Sequence, residues 1–351
     1  MNKPFSISIA SLATLLFFAC TGQTGANRDE PASGQTDQEY RVTGSVLRLQ
    51  PEMDDIIPPG AVPEIVAEGF DWSEGPLWLP DQSFLIFSDI PKNSIYQWSE
   101  EGGLKLYLRP AGYTGSTPRG GESGSNGLLL HSSGKLVLCQ HGDRRMALMD
   151  APLNDPAPQF ITLADKWSGK RFNSPNDAVY NSKGDLYFTD PAYGLEKRYQ
   201  DPSREMDFTG VFRLSAEGNV SLVTDKLGAP NGIGFAPDEK TLYVANSGGG
   251  KNSFWMAYDL NEQGEIAGER LFYDASIASD TLVGAPDGLK VRNDGIIFAT
   301  GPGGVWIFNS SGKHLGIIKT GQPTSNCALN ANQHYLYMTA NMYLMRIQLK
   351  K

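Results

Sequence analysis

Six short segments of this chain repeat one pattern, in which a carboxylate or amide residue, in most cases followed by glycine, opens an apolar run. They are Glu74-Gly75, Asn126-Gly127, Asn176-Asp177, Asn231-Gly232, Asp287-Gly288 and Asn326-Cys327, at successive spacings of 52, 50, 55, 56 and 39 residues. Each is followed 13–15 residues later by the end of a second β-like run, at Asp89, His141, Asp190, Asn246, Thr300 and Asn341. A period near 50 residues built from paired short strands is the signature of a propeller blade. Runs such as Phe84-Leu85-Ile86-Phe87 and Thr241-Leu242-Tyr243-Val244 follow Asp, Gly and Asn turn formers, and no segment carries a convincing helical period. The expected fold is therefore all-β, a six-bladed β-propeller. Only 25 residues follow Asn326, room for three strands rather than four. The strand Glu64-Ile65-Val66-Ala67-Glu68, just ahead of the first blade, is expected to complete the last one, closing the ring and removing its open edges.

The N-terminus reads differently. Lys3 is the only charge before an apolar, Ser-containing stretch over residues 5–19, which is short for a membrane span and ends in Phe17-Phe18-Ala19-Cys20. Residues 1–20 are expected to be a signal peptide of lipoprotein type, with Cys20 becoming the lipidated first residue; the plainer alternative is a secretory signal cut nearby. Either version implies export, to the periplasm or cell envelope, with membrane contact only through a lipid anchor at Cys20. Residues 21–60 are expected to be a flexible linker, because 22–38 contains almost no large apolar residue, although the alternation over 42–49 has room for one strand. The propeller is assigned to 61–351. A formal charge of −9 with no basic cluster argues against nucleic acid or anionic lipid as a partner. Cys139 and Cys327 fall in strands of blades that are not neighbours, so two buried free thiols are expected.

Equivalent positions of a propeller converge on its axis. Six oxygen-bearing side chains at one end of a central channel make a site for a hard cation. Calcium takes six to eight oxygens from carboxylates, amide carbonyls and water, whereas zinc calls for His or Cys, and only four His are present. Taken singly, Asn-Gly and Asp-Gly are turn formers; their recurrence in phase, together with Glu74, which is no turn former, favours the cation. His141 closes the second strand of blade two on the same face, placed either to orient a substrate or shuttle a proton, or to serve as a hydrogen-bonded wall. Arg144 and Arg145 are candidates for binding a carboxylate or sugar hydroxyls, or for surface ion pairs. Tyr193 and Asp190, at a Pro-Ala-Tyr-Gly turn, are placed at the mouth. The Pro- and Gly-rich loop 109–125, with Tyr113 and Glu122, is expected to cover that mouth and shape the substrate. No Gly-x-Ser-x-Gly nucleophile elbow is present.

Ser73-Glu74-Gly75-Pro76, Arg171-Phe172-Asn173-Ser174-Pro175-Asn176-Asp177, Tyr187-Phe188-Thr189-Asp190-Pro191-Ala192-Tyr193-Gly194, Pro230-Asn231-Gly232-Ile233 and Pro286-Asp287-Gly288-Leu289 together resemble the gluconolactonase/regucalcin family, over roughly residues 62–351. Gln140-His141-Gly142-Asp143-Arg144-Arg145 is similar to its bacterial gluconolactonase branch, with Gln140 where Glu is commoner. The resemblance implies a divalent-metal-dependent hydrolase that opens a sugar lactone. It also implies Glu74, Asn176, Asn231 and Asp287 as metal ligands, with Asn126 and Asn326 outside the ligand set as substrate-facing positions. Arg171, at the head of its motif, His141 and Tyr193 are expected to face the same substrate. The cation expected is Ca²⁺, with Zn²⁺, Mn²⁺ or Mg²⁺ as alternatives. It would polarise the lactone carbonyl while Asp287 acts as general base on water. Two other readings stay open: an esterase of other specificity, acting on other lactones or on organophosphate-type esters, and a non-enzymatic ligand-binding propeller with a structural calcium. Oligomeric state is left open.

Overall fold

The computed structural model describes residues 40–350. The expected signal peptide and Cys20 lie outside the described residues. Four-stranded antiparallel sheets form blades one to four: Ser73–Leu79 through Gly103–Leu108, Ser125–Leu130 through Phe160–Ala164, Ala178–Tyr180 through Val220–Thr224, and Pro230–Phe235 through Ile266–Asp274. Leu289–Val291 through His314–Lys319 make blade five. Asn326–Leu329, Tyr335–Ala340 and Tyr343–Gln348 begin blade six, and Glu64–Glu68 pairs antiparallel with Tyr343–Gln348 as its fourth strand. The first strand of each blade is innermost.

Sequence period and packing are connected through the alternation of side chains along each strand. Every blade buries both faces against its neighbours, and six apolar clusters result, one at each blade–blade interface. Between blades one and two lie Ile86, Leu128 and Leu138; between six and one, Phe70, Phe87, Trp98, Tyr337 and Leu344. The interface of blades six and one is reinforced by Arg346. Its guanidinium pairs with Glu64 of the added strand at 2.8 Å and with Glu100 of blade one, and lies 4.8 Å from the ring centres of both Tyr40 and Tyr335. Cys139 and Cys327 are buried and unbridged.

The linker expected over 21–60 is corrected by the structure from Tyr40 onward. Arg41–Val42 adds a fifth strand to blade six, and Ser45–Arg48 adds a fifth to blade five. A single helical turn, Met53–Ile56, then seals the base of those two blades. Met53, Ile56 and Ile57 are buried in the same cluster as Phe298, Val305, Leu336 and Met345. The alternation over 42–49 had room for one strand, whereas Met53 and Ile56-Ile57, set among Asp and Pro, are too few to show a helical period. What orders the segment is the exposed edge of blade five and the open base of a large core, neither of which is visible locally. Truncating a buried Met to Ala costs about 2–5 kcal/mol, whereas a residue in a solvated linker costs under roughly 0.5 kcal/mol. Met53→Ala is therefore expected to lower unfolding stability in the first range, measured by chemical denaturation, with activity retained under native conditions.

Candidate active site

The axial residues reach the channel by a local device. In blades one, two and four the register of the inner strand against the second strand shifts at Glu74–Leu77, Ser125–Leu128 and Pro230–Ile233. Such a bulge re-aims a side chain out of the alternating pattern. It turns Glu74, Asn126 and Asn231 toward the axis while the strand beyond resumes its apolar alternation. Asn176 and Asp287 sit two residues ahead of the inner strands of blades three and five, and Asn326 opens that of blade six.

In blades one, three and four the residue at the end of the second strand supports the turn before the axial position. The carboxylate of Asp89 accepts the N–H groups of Asp71 and Trp72, each at 3.2 Å. That of Asp190 accepts those of Asn173 and Ser174 at 2.7 and 2.8 Å, and Asn246 Oδ1 accepts that of Ala229 at 2.9 Å. Asp190 is thus a buried brace and not part of the mouth.

Glu74, Asn126, Asn176, Asn231 and Asp287 line one pocket of about 280 Å³ at the end of the channel, walled by Trp72, Glu122, Tyr193 and Arg198. Glu74, Asn126, Asn176 and Asn231 are nearly fully buried. The Oδ1 atoms of Asn126, Asn176, Asn231 and Asp287 are buried and have no hydrogen-bond partner. Buried polar atoms are otherwise almost always paired. Four orphaned oxygens facing one small cavity, with two carboxylates lining it, fit a hard, oxygen-seeking cation. Among the described residues no group of three His, Cys, Asp or Glu is placed to hold a metal ion, so such a site depends on its amides.

Burial pushes the Glu74 carboxyl up to about 8, against a 2.7 Å bond from the Gly75 N–H and with the Asp177 charge adding to the rise. Burial likewise raises Asp287 well above the carboxylate range, reinforced by Glu74, Asp177 and Glu122. Both effects are what a cation would reverse.

The other expected site residues divide. Asn126 has the same orphaned oxygen as the expected ligands, so it groups with them. Asn326 lies deeper in the channel: its Oδ1 accepts the Cys327 N–H at 2.9 Å and its Nδ2 donates to Asp177 Oδ2 at 3.3 Å. His141 is fully buried, with Nδ1 3.5 Å from Glu122 Oε2 and neither ring nitrogen hydrogen-bonded; it touches the pocket through Glu122. Tyr193 is a wall residue, its hydroxyl 3.4 Å from the Ser247 carbonyl and its pKa raised by burial. Arg171 is not in the pocket. It belongs to a short ribbon, Lys166–Trp167 with Lys170–Arg171, and its guanidinium donates to the Asp143 carbonyl at 2.9 Å. Arg144 and Arg145 are also structural, donating to the Phe172 carbonyl and to Gln140.

Two features escaped sequence reasoning. Asp177 occupies a position that is glycine in four of the other five repeats; it is buried, with Lys290 Nζ 3.8 Å away, and floors the channel. Its departure from the glycine pattern was the signal that could have found it. Arg198, from the connection after Gly194, reaches within 3.4 Å of Glu122, and nothing in its local sequence assigned it to the site.

Residues 72–342 match the family described as SMP-30/Gluconolactonase/LRE-like region. The chain is 33% identical over 346 residues to a gluconolactonase of Zymomonas mobilis, covering 97% of this chain and 96% of that one. A gluconolactonase structure from Xanthomonas campestris superposes with a TM-score of 0.75 at 28% identity, over 88% of this chain and 96% of that chain. A calcium-binding protein, regucalcin, from Agrobacterium tumefaciens shares the fold, with a TM-score of 0.63 at 18% identity over 82% and 94% of the two chains.

An acid whose pKa is higher folded than unfolded binds more protons in the folded state between those two values, so stability falls as pH rises through that window. For Glu74 the window runs from about 4.3 in the unfolded chain to about 8 in the folded one. Chelator-treated protein is therefore expected to lose thermal stability steadily from pH 5 to pH 8, and added Ca²⁺ to restore more of it at pH 8 than at pH 5. In Glu74→Gln the slope should flatten. An unfolding temperature that rises across that range after chelation would contradict the raised proton affinity of Glu74.

Proposed function

The chain belongs to the SMP-30/gluconolactonase/LRE-like family, and from that premise we propose that it is a divalent-cation-dependent lactone hydrolase acting on an aldonolactone. One observation carries the cation: orphaned, buried oxygens of Asn126, Asn176, Asn231 and Asp287 facing one pocket with Glu74. The substrate class is supported by the name of the Zymomonas mobilis relative, which is similar along nearly its whole length.

Glu74, Asn176, Asn231 and Asp287 would hold the ion, and Ca²⁺ suits their oxygens. The calcium-binding description of the Agrobacterium tumefaciens regucalcin agrees with that choice. When bound, the ion would polarise the lactone carbonyl and stabilise negative charge on its oxygen.

The chain's own groups then have distinct tasks. Asp287 takes a proton from the attacking water as the water oxygen bonds to the carbonyl carbon. The ring C–O bond breaks, and the same proton passes from Asp287 to the departing ring oxygen, leaving a hydroxy acid. A carboxylate in this role is a weak base, sufficient for an activated cyclic ester and not for an amide. Asn126 would add its orphaned oxygen to the donors that hold the ion. Tyr193, kept as a neutral phenol by burial, can donate a hydrogen bond without adding charge. Trp72 supplies an apolar wall. Glu122 carries the influence of His141 and Arg198 to the pocket rim.

The deciding experiment is hydrolysis of D-glucono-1,5-lactone by metal-stripped protein, with and without Ca²⁺, Mn²⁺, Mg²⁺ or Zn²⁺. Turnover restored by at least one ion is expected. Asp287→Asn should lower kcat by about 10²–10⁴, the usual contribution of a positioned proton acceptor. Arg171→Ala should leave KM within about twofold, since a residue outside the pocket contributes no binding energy there. Undiminished turnover by Asp287→Asn would remove Asp287 from the mechanism.

A further inference from the structure

One carboxylate of the pocket wall, Glu122, stands apart from the axial ring. It comes from the connection 109–125 rather than from an inner strand. Among the described residues it does not join Glu74 and Asp287 in a group placed to hold an ion. Its position is fixed from both sides. Ahead of it, the Arg119 guanidinium donates to the Gly142 carbonyl at 2.9 Å and to that of Gly194, and the Gly120 N–H donates to Glu196 at 3.0 Å. After it, the Gly124 N–H donates to the Ile90 carbonyl at 2.8 Å, and the Gly124 carbonyl accepts the His141 N–H at 3.2 Å. A side chain rooted in so constrained a backbone is suited to precise recognition.

Its oxygens are only loosely engaged. Oε1 lies 3.4 Å from Arg198 Nη2 and Oε2 lies 3.5 Å from His141 Nδ1, both longer than the roughly 2.7–2.9 Å of a charge-assisted hydrogen bond. A carboxylate has about four acceptor positions and no donor, so much of this capacity is open to what fills the pocket. His141, behind it, is fully buried with neither ring nitrogen hydrogen-bonded. The imidazole is packed against the turn at Gly194, where a Cβ would lie 2.6 Å from His141 Cβ and 2.7 Å from Cγ, and Nδ1 is aimed at Glu122.

The surroundings narrow what this carboxylate can recognise. An anion is repelled by it. A cation is opposed by Arg198 beside it and by the ion that the axial oxygens fit. A bare apolar ring would cover the carboxylate and supply no donor, which is costly. A neutral ring carrying adjacent hydroxyls supplies two donors to two oxygens.

We propose that Glu122 recognises the ring hydroxyls of the lactone, with His141 as a positioning residue behind its carboxylate, so that the site selects polyhydroxylated lactones over bare ones. The inference rests on the lactone-hydrolase reading for the ring that bears the hydroxyls.

Two measurements in excess Ca²⁺ test it. The first is calorimetric binding of 1,5-anhydro-D-glucitol, a neutral ring with the sugar hydroxyls and no carbonyl to hydrolyse. The second is the ratio of kcat/KM for glucono-1,5-lactone to that for δ-valerolactone, which lacks the hydroxyls and the hydroxymethyl group. Glu122→Ala is expected to weaken binding and to lower the ratio, each by about 10- to 100-fold, the worth of hydrogen bonds to a charged group. Glu122→Gln, which keeps the shape and one acceptor, should fall between. His141→Ala should lower both several-fold, and His141→Asn, whose amide can stand where Nδ1 does, should recover part of the loss. General damage to the fold would slow both lactones alike and leave the ratio unmoved. No binding of the anhydroglucitol by the wild type, or binding and a ratio that Glu122→Ala leaves in place, overturns the assignment. Turnover of gluconolactone alongside that result leaves the hydrolase reading intact. Glu122-dependent binding with neither lactone opened under Ca²⁺, Mn²⁺, Mg²⁺ or Zn²⁺ upholds the assignment and overturns the hydrolase reading.

Discussion

The close approach of the six inner strands around the axis is the constraint on which the rest of the structure depends. A Cβ built on Gly75 would lie 2.0 Å from the Asn126 carbonyl oxygen, and one on Gly232 would lie 2.1 Å from that of Asp287. No real side chain tolerates such contacts, so glycine after the axial residue is what lets four of the six blades lie this close to the next. The contacts are also bonded: the Gly127 N–H donates to the Asn176 carbonyl at 2.8 Å, and the Gly288 N–H to the Ser325 carbonyl at 2.7 Å. Ser325 Oγ, in turn, donates to the Ser73 carbonyl at 2.7 Å and joins the last blade to the first. A ring this tight brings the axial oxygens to one pocket. The same glycines that look like turn formers in the sequence therefore set the radius of the site.

That geometry carries an electrostatic cost. Each buried, unpaired polar group opposes folding by about 1–3 kcal/mol, and the site collects several beside two carboxylates that repel one another. The blades can hold such a centre because six apolar interfaces surround it and no single blade bears the load. Asp177 adds to that cost at the floor and Lys290 moderates it. Asp177 replaces a glycine, so its carboxylate projects into the channel, and room for it exists because the facing residue is Gly127, where a Cβ would meet Asp177 Oδ1 at 2.9 Å. Its charge raises the proton affinity of Glu74 and Asp287, while Lys290, 3.8 Å away, partly offsets it.

Blade number, the phase of the axial residues and the grouping of Glu74, Asn176, Asn231 and Asp287 were legible in the sequence because a propeller repeats one local pattern and the fold superposes its copies. Arg171 was misplaced for the opposite reason. It shares a motif with Asn176, but irregular chain separates them, and it turns so that one faces the axis and the other the Asp143 carbonyl. Asn126 and Asn326 look alike in sequence and differ in the structure because their successors differ. The Gly127 N–H is spent on the Asn176 carbonyl, which leaves the Asn126 oxygen unpartnered, whereas the Cys327 N–H donates to the Asn326 oxygen. Over 41–60 the alternation at 42–49 was legible as room for one strand; its division into two edge strands and the helical turn were not, because an edge strand at His314–Lys319 and a core around Phe298 and Met345, all far along the chain, are what order them.

Conserving a ring while varying its loops divides the chemistry from the selection of substrate. The axial groups come from inner strands fixed by backbone bonds to their neighbours. Glu122, Tyr193 and Arg198 of the wall come from two connections, 109–125 and 191–209, that cross over the same end of the channel. These are tied to each other: Arg119 of the first donates to the carbonyls of Gly142 and Gly194, and Glu122 of the first meets Arg198 of the second. Tyr193 belongs to that second connection and walls the pocket. A change of loop composition there would alter the size of the admitted ring system while the oxygens beneath stayed in place. The bonds that join inner strand to inner strand, at Gly127, Gly288 and Ser325, use no residue of either loop. Substrate range can thus shift on this scaffold without rebuilding the site that does the chemistry.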